Sequence, residues 1–262
     1  MDDSKPQPTP MTSGLKLTAN GSTSIPDPSF YRSIVGGLQY ITITRPELSF
    51  SINKVCHFMH NPQERHWKAV KRILRYLQGT ITHGFHFRRP TNMALMAFSD
   101  FDWGSDLDDR KSTTRYCVYF GNNLVSWSSR NQRVVSRSST EAEYLGLAVV
   151  TTEIVWIKSL LSELQVNTTA PTIYCDNLGD VMLAANPIMH STKHFELDLY
   201  FVRDKVLTRD IQVFHLPSQF QVADILTKSI TGPPFESFRR KLMVTSSCDI
   251  SLRGDVKGSK VS

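Results

Sequence analysis

The sequence predicts an α/β domain built on a mixed five-stranded sheet with flanking helices, preceded by a small helical segment. Three helical stretches follow one another between residues 30 and 78, and short apolar strands then take over. From residue 93 the predicted order is βββαβαβα. A hairpin-linked meander followed by strands that alternate with helices requires both antiparallel and parallel neighbours, with helices packed on the sheet.

The helical segment is predicted to contain helices over 30–40, 47–60 and 62–78, with prolines at the second and third starts. The third helix has an apolar stripe on one side. A basic row lies on another side and consists of Lys68, Lys71, Arg72 and Arg75. This row either follows a phosphate backbone or is a solvated face, and spacing alone does not decide.

The later elements are predicted from alternation, turn residues and caps. Gly121-Asn122-Asn123 is a hairpin signal, and Ser138-Ser139-Thr140 followed by Glu143 is typical of a capping box at the start of a helix. The predicted strands are 94–100, 115–120, 123–127, 172–176 and 211–216. The predicted helices run from Ser138 to near Leu164, from 177 through Ala185, over 193–207 and from near Gln219.

Composition divides the chain into four parts: a disordered Pro/Ser/Thr-rich linker over 1–29, the helical segment over 30–92, the α/β domain over 93–228, and a C-terminal helix with a disordered tail over 229–262. Residues 1–92 carry a net charge of +7 and residues 93–228 a net charge of −4. This contrast fits a polyanion bound by one part and metal ions by the other, or simply two solvated surfaces.

Other classes of protein are disfavoured by the sequence. The four cysteines are far apart and form no CxxC pair, which argues against a zinc knuckle or a disulfide framework and suits a reducing compartment. The N-terminus has no basic-then-apolar signal pattern. Glu153 interrupts the longest apolar stretch, so we expect no membrane span.

Carboxylates gather where predicted strands end. Asp100 ends the first strand of the meander, and Asp176 ends the strand over 172–176. If these strands are parallel neighbours, the two carboxylates lie side by side at one edge of the sheet. Acids at such positions are also common as caps or loop charges, so the position alone does not settle their role.

Two further acids fall on packed positions. Glu141 and Glu143 compete for one helix face, because residues two apart cannot share it. Counting from Glu143 at helical spacing gives only apolar residues, whereas the face that begins at Glu141 is mixed, so Glu143 is predicted to face the sheet. Asp224 lies in Val-Ala-Asp-Ile-Leu, an apolar turn before the last helix.

Carboxylates forced together repel one another and persist when a cation neutralises them. Ligand sets that contain only oxygen favour Mg²⁺ or Mn²⁺ over zinc. Four such ligands can bind two ions about 3.5–4 Å apart, which is the arrangement used for in-line attack on a phosphodiester. The alternative, that these acids are separate caps and surface charges, stays open on spacing alone.

Six ordered motifs resemble the C-terminal ribonuclease H domain of a Ty/copia-type retrotransposon Pol polyprotein. They are FSDFDWGSD, RKSTTRYCVYFG, SSTEAEYLGL, IYCDNLGDVML, TKHFELDLYFVRD and VADILTK. The stretch from FYRSIVGGLQY to RILRYLQGT resembles the thumb and connection region of that polyprotein's reverse transcriptase, and the whole resemblance covers residues 5–244.

The resemblance implies a ribonuclease H-like fold and cleavage of the RNA strand of RNA–DNA hybrids with two Mg²⁺ ions, which Mn²⁺ can replace. The family's catalytic, metal-binding acids match Asp100, Glu143, Asp176 and Asp224. The implied partners are the hybrid and the remainder of the Pol polyprotein, with its palm, fingers and integrase. The implied location is cytoplasmic virus-like particles, or the nucleus.

The chain also departs from the family pattern. It lacks the paired-Asp palm motif, so we expect no DNA synthesis by this chain alone. Arg115 and Met243 stand where the family has glycines, which predicts backbone strain if either site needs a left-handed residue or a bulge. A truncated relic that binds hybrids without cutting them is therefore the alternative function.

Overall fold

The computed structural model describes residues 4–19, 21–90, 92–102, 112–132, 136, 138–177, 179, 181, 196–230 and 232–248. The helices are α1 (Pro28–Ile41), α2 (Ser49–Cys56), α3 (Glu64–Gly79), α4 (Ser139–Glu163), α5 (Glu196–Leu207), α6 (Asp224–Thr227) and α7 (Pro233–Lys241). The strands are β1 (His83–Phe85), β2 (Leu95–Asp102), β3 (Thr113–Phe120), β4 (Asn123–Asn131), β5 (Thr172–Cys175), β6 (Gln212–His215) and β7 (Val244–Ser246).

The central sheet has the order β4-β3-β2-β5-β6. Strands β2, β3 and β4 pair antiparallel, whereas β5 pairs parallel with both β2 and β6. The predicted mixed five-stranded sheet is confirmed. Gly121 has a φ of 59° in the two-residue turn between β3 and β4, a conformation that glycine adopts without steric cost.

Two hydrophobic clusters cover the two faces of this sheet. Val118 of β3 packs with α4 and α5 on one face, through residues that include Leu147, Ile154 and Val202. Its neighbours Cys117 and Tyr119 point to the other face and join the core of α1, α2, α3, α6 and α7. Alternation along one strand therefore links the helical segment and the α/β domain through a common sheet.

Helix α4 is long and apolar enough, over Glu141–Glu163, to cross a membrane by length and composition alone. Leu147, Val150 and Ile154 are nevertheless buried against the sheet. This is the packing of a core helix in a globular domain. The apolar face that is predicted to continue from Glu143 as far as Leu164 fails only at its end, where Leu164 lies beyond the helix and is exposed.

The expectation of a disordered linker over 1–29 is wrong for residues 4–19, which lie along α3. The backbone N–H of Gln7 donates to the carbonyl of Arg75, and Arg65 donates to Oγ1 of Thr18. Hydrogen bonds to α3 therefore hold a segment that has no regular structure of its own. At the other end, β7 pairs with β1, and residues 249–262 of the predicted tail lie outside the described part.

The two expected sites of strain differ from each other. Arg115 lies in a regularly paired part of β3, and the register shift between β3 and β4 falls later, at Val118/Tyr119. The condition under which strain is predicted at Arg115, a bulge or a left-handed residue, is therefore not met there. Met243 has a φ of 64° just after the C-cap of α7, a left-handed position where glycine is preferred.

Two helix starts also differ from the predictions. Ser138 is the N-cap of α4 and accepts a hydrogen bond from the N–H of Glu141, so Glu143 is not the acid of a capping box. The helix expected from Gln219 is instead a 3-10 turn over Ser218–Phe220, followed by α6. The predicted helix through Ala185 falls almost wholly outside the described residues.

Candidate active site

Asp100 and Asp176 lie side by side, as predicted. Strands β2 and β5 run parallel with Ser99 opposite Cys175, so the next residue on each strand is a carboxylate at the same edge of the sheet. The side chain of Asp176 accepts a hydrogen bond from Oγ of Ser218 at 3.2 Å, and its carbonyl lies 3.2 Å from Nε2 of His215. The strand ends thus place Asp100 and Asp176 together, and the hydrogen bond from Ser218 orients Asp176.

Glu143 is buried near the start of α4 and is only 8% exposed. It precedes Leu147 and Val150 on the packed face of the helix, whereas Glu141 is the third helical residue. Glu143 is therefore the buried acid of the two, as the apolar face of the helix predicts.

Asp224 is the first residue of α6, and its Oδ1 accepts a hydrogen bond from Nζ of Lys228 at 2.9 Å. The segment before it is tied to the sheet by Gln221, a fully buried side chain whose Nε2 donates to the carbonyl of Ser99. Asp224 is thereby anchored next to the strand that carries Asp100.

These groups surround one open cavity of about 370 Å³. Three of the four predicted acids line it; its lining consists of Asp100, Phe101, Glu143, Asp176, Asn177, His215 and Lys228. Asp224 is not part of this lining, but its side chain is hydrogen-bonded to Lys228, which is. Carboxylates at the ends of two strands and on a helix thus line the same cavity, although they are far apart in the sequence.

The electrostatics of Asp100 reflect this crowding. Burial, together with the charges of Asp224 and Asp176, raises the pKa of its carboxyl to about 7, although a hydrogen bond from Thr227 and the charge of Lys228 oppose the rise. Burial lowers the pKa of Lys228, but its hydrogen bond to Asp224 and the surrounding carboxylates hold that pKa above its ordinary value.

The donor chemistry fits a hard divalent cation, but a complete ligand set is not preassembled. Asp100 is 4% exposed, and its Oδ2 is buried without a hydrogen-bond partner in the described part. The acids offer only oxygen, as Mg²⁺ and Mn²⁺ prefer. Within the described ranges, however, no group of three or more His, Cys, Asp or Glu side chains is close enough to hold a metal ion.

The basic row of α3 (Lys68, Lys71, Arg72 and Arg75) does not line this cavity. Lys68 is exposed, Nζ of Lys71 lies 5.6 Å from the centre of the Trp67 ring, and Arg72 donates to Oγ1 of Thr9. The N-terminal segment therefore engages part of the row. Its binding to nucleic acid stays a prediction.

Sequence reasoning missed Lys228, Ser218 and Gln221 and assigned His215 only to a strand. Lys228 carried a usable signal, because it lies four residues after Asp224, at helical pairing distance. Gln221 contacts Ser99, and Ser218 contacts Asp176. The partners in each pair are distant in the sequence, so no local sequence pattern predicts these contacts.

No protein-family model matches the chain. It is 46% identical over 254 residues to the retrovirus-related Pol polyprotein from transposon RE2 of Arabidopsis thaliana, and 34% identical over 248 residues to that from transposon TNT 1-94 of Nicotiana tabacum. These matches cover 95% and 90% of the chain but only 17% and 18% of the relatives.

Among solved structures, a ribonuclease H1 isolated from compost aligns with 51% of this chain and 92% of its own, at 13% identity and a TM-score of 0.40. The sequence matches extend over nearly the whole chain and include both the helical segment and the α/β domain. The chain belongs to the family of retrovirus-related Pol polyproteins of Ty/copia-type transposons, of which it corresponds to one segment.

Proposed function

We propose that this chain is a retrotransposon ribonuclease H that hydrolyses the RNA strand of RNA–DNA hybrids during reverse transcription. The observation that carries the proposal is the cavity lined by Asp100, Glu143 and Asp176, with Lys228 in the same lining and hydrogen-bonded to Asp224. A hybrid offers this site a phosphodiester, and its 2′-hydroxyls distinguish the RNA strand.

Asp100, Glu143, Asp176 and Asp224 would hold the Mg²⁺ ions. Such ions activate a water molecule for attack on the phosphodiester and stabilise the leaving 3′-oxygen. Asp100 presents a buried oxygen that has no other partner in the described part. Ser218 orients Asp176, and Gln221 fixes the segment that bears Asp224. Lys228 offsets the negative charge before an ion binds.

The test is incubation of the full chain with an RNA–DNA hybrid labelled on the RNA strand, in Mg²⁺ at several protein concentrations. We expect cleavage that stops with EDTA and in Asp100→Asn. Duplex DNA and duplex RNA of the same sequence are the controls for specificity. No cleavage of the hybrid in Mg²⁺ or Mn²⁺ at any protein concentration refutes the proposal.

A second candidate is a module that binds hybrids without cutting them. Two observations favour it: no group of three metal-binding side chains is preassembled in the described ranges, and an ammonium group already contacts Asp224. Hybrid binding that weakens with salt, without turnover in either metal, would select this candidate.

A further inference from the structure

Arg115 is a buried cation on the same strand pair as Asp100. It lies on β3 directly opposite Asp100 of β2, and its side chain is on the same face of the sheet. The residue is 3% exposed, and its guanidinium lies 5.5 Å from the centre of the Phe50 ring. A buried guanidinium is costly unless hydrogen bonds engage it, so its partners indicate its role.

The hydrogen bonds of Arg115 connect it to α6, directly and through Ser129. Nε of Arg115 donates to Oγ of Ser129 at 3.0 Å, and Nη1 donates to the carbonyl of Thr227 at 3.2 Å. Ser129 in turn donates to the carbonyl of Leu226 at 3.2 Å. Two adjacent carbonyls at the end of α6 are therefore bound from strands β3 and β4.

We propose that Arg115 is a positioning residue that seats α6 against the sheet and so sets where Asp224 lies relative to Asp100. Helix α6 contains only four residues, starts at Asp224 and is followed by Lys228. So short a helix has little stability of its own, and its place depends on tertiary contacts. Because Asp224 is one of the proposed metal ligands, this role rests on the proposed function.

The first readout needs no metal. Hydrogen exchange of the 224–228 amides is compared, in EDTA, among the parent, Arg115→Met, Ser129→Ala and Leu199→Ala. Leu199 is buried in the other core and serves as a destabilised control away from α6. We expect exchange of the 224–228 amides to accelerate several-fold in Arg115→Met and in Ser129→Ala but not in Leu199→Ala.

The second readout is Mg²⁺ affinity by calorimetry. Loss of a group that orients ligands typically weakens metal binding 10–100-fold, and we expect about tenfold for Arg115→Met. Arg115→Lys keeps the charge but not the two-point donation and is expected to fall between the parent and Arg115→Met. If Arg115→Met does not fold, Ser129→Ala and Arg115→Lys decide by the same criteria.

Exchange at 224–228 that matches Leu199→Ala, or Mg²⁺ affinity equal to that of the parent, overturns the role of Arg115. A parent chain that cleaves no hybrid refutes the proposed function instead. In that case the metal-free exchange rates still decide whether Arg115 positions α6.

Discussion

Nζ of Lys228 lies 2.9 Å from Oδ1 of Asp224, one helical turn earlier in the chain. The charge of Lys228 also opposes the rise in the pKa of Asp100. Lys228, the last residue of the VADILTK motif, is thus a cation that offsets the carboxylates at this site before any metal ion binds.

Replacing Lys228 with Met should raise the pKa of Asp100 above about 7, because an opposing positive charge is lost. Titration of the ¹³C-labelled carboxyl group of Asp100 by NMR, in EDTA, measures this change. Lys68→Met removes an exposed lysine from α3 and should leave the titration unaltered. An unchanged pKa in Lys228→Met would show that the ammonium does not act on Asp100.

The raised pKa of Asp100 predicts a definite pH dependence of stability without metal. The folded state holds this proton more tightly than the unfolded chain, so the contribution is fully present below the ordinary value of 3.8 and is lost as the pH rises through about 7. A shift of this size corresponds to roughly 4 kcal/mol.

Asp100→Asn stays neutral at every pH and should therefore melt several degrees above the parent at pH 8 in EDTA, with a smaller difference at pH 4. Thermal melts across this range measure the effect. Asp204→Asn changes an exposed carboxylate on α5 and should follow the parent. Parallel curves for the parent and Asp100→Asn would contradict the assigned pKa.

Met243 has a left-handed backbone, which costs a residue with a side chain about 1–2 kcal/mol relative to glycine. Met243→Gly should therefore raise the free energy of unfolding by about 0.5–1 kcal/mol, part of the gain being offset by the more flexible unfolded chain. Urea denaturation measures it. Met93→Gly, at an exposed residue without positive φ, should bring no gain, and a loss at Met243 would contradict the explanation.

Arg45 and Glu47 form a buried ion pair, with Nε 2.7 Å from Oε1. Arg45 also donates to Oγ1 of Thr80, and Tyr76 donates to Glu47. Arg45→Met should destabilise the fold by about 3–5 kcal/mol, because it leaves a buried carboxylate uncompensated. The double variant Arg45→Met/Glu47→Leu should be more stable than Arg45→Met alone. A fully additive loss would contradict this coupling.

Much of the site could be predicted because its acids obey local rules. Asp100 and Asp176 follow apolar strands, and parallel pairing brings such ends together. Glu143 was identified because the apolar stripe of α4 continues from it. These signals depend only on strand ends and helical periodicity, which the sequence displays directly.

The remainder depends on contacts between distant segments. The 3-10 turn at Ser218 replaces a predicted helix, and Gln221 after it is tied to Ser99. The position of α6 on the sheet depends on Arg115. The family resemblance shows only that this arginine stands where the family has a glycine. The capping box was misplaced by two residues, because Ser138, Ser139 and Thr140 are all acceptable caps and only the fold selects Ser138.

The most direct test of the central claim is anomalous diffraction from crystals of the full chain soaked in Mn²⁺. Two peaks about 3.5–4 Å apart are expected, coordinated by Asp100 with Glu143, Asp176 and Asp224. Crystals of Asp100→Asn should lose at least one of them. Mn²⁺ that binds elsewhere on the protein, with these four carboxylates unligated, would contradict metal binding by these acids.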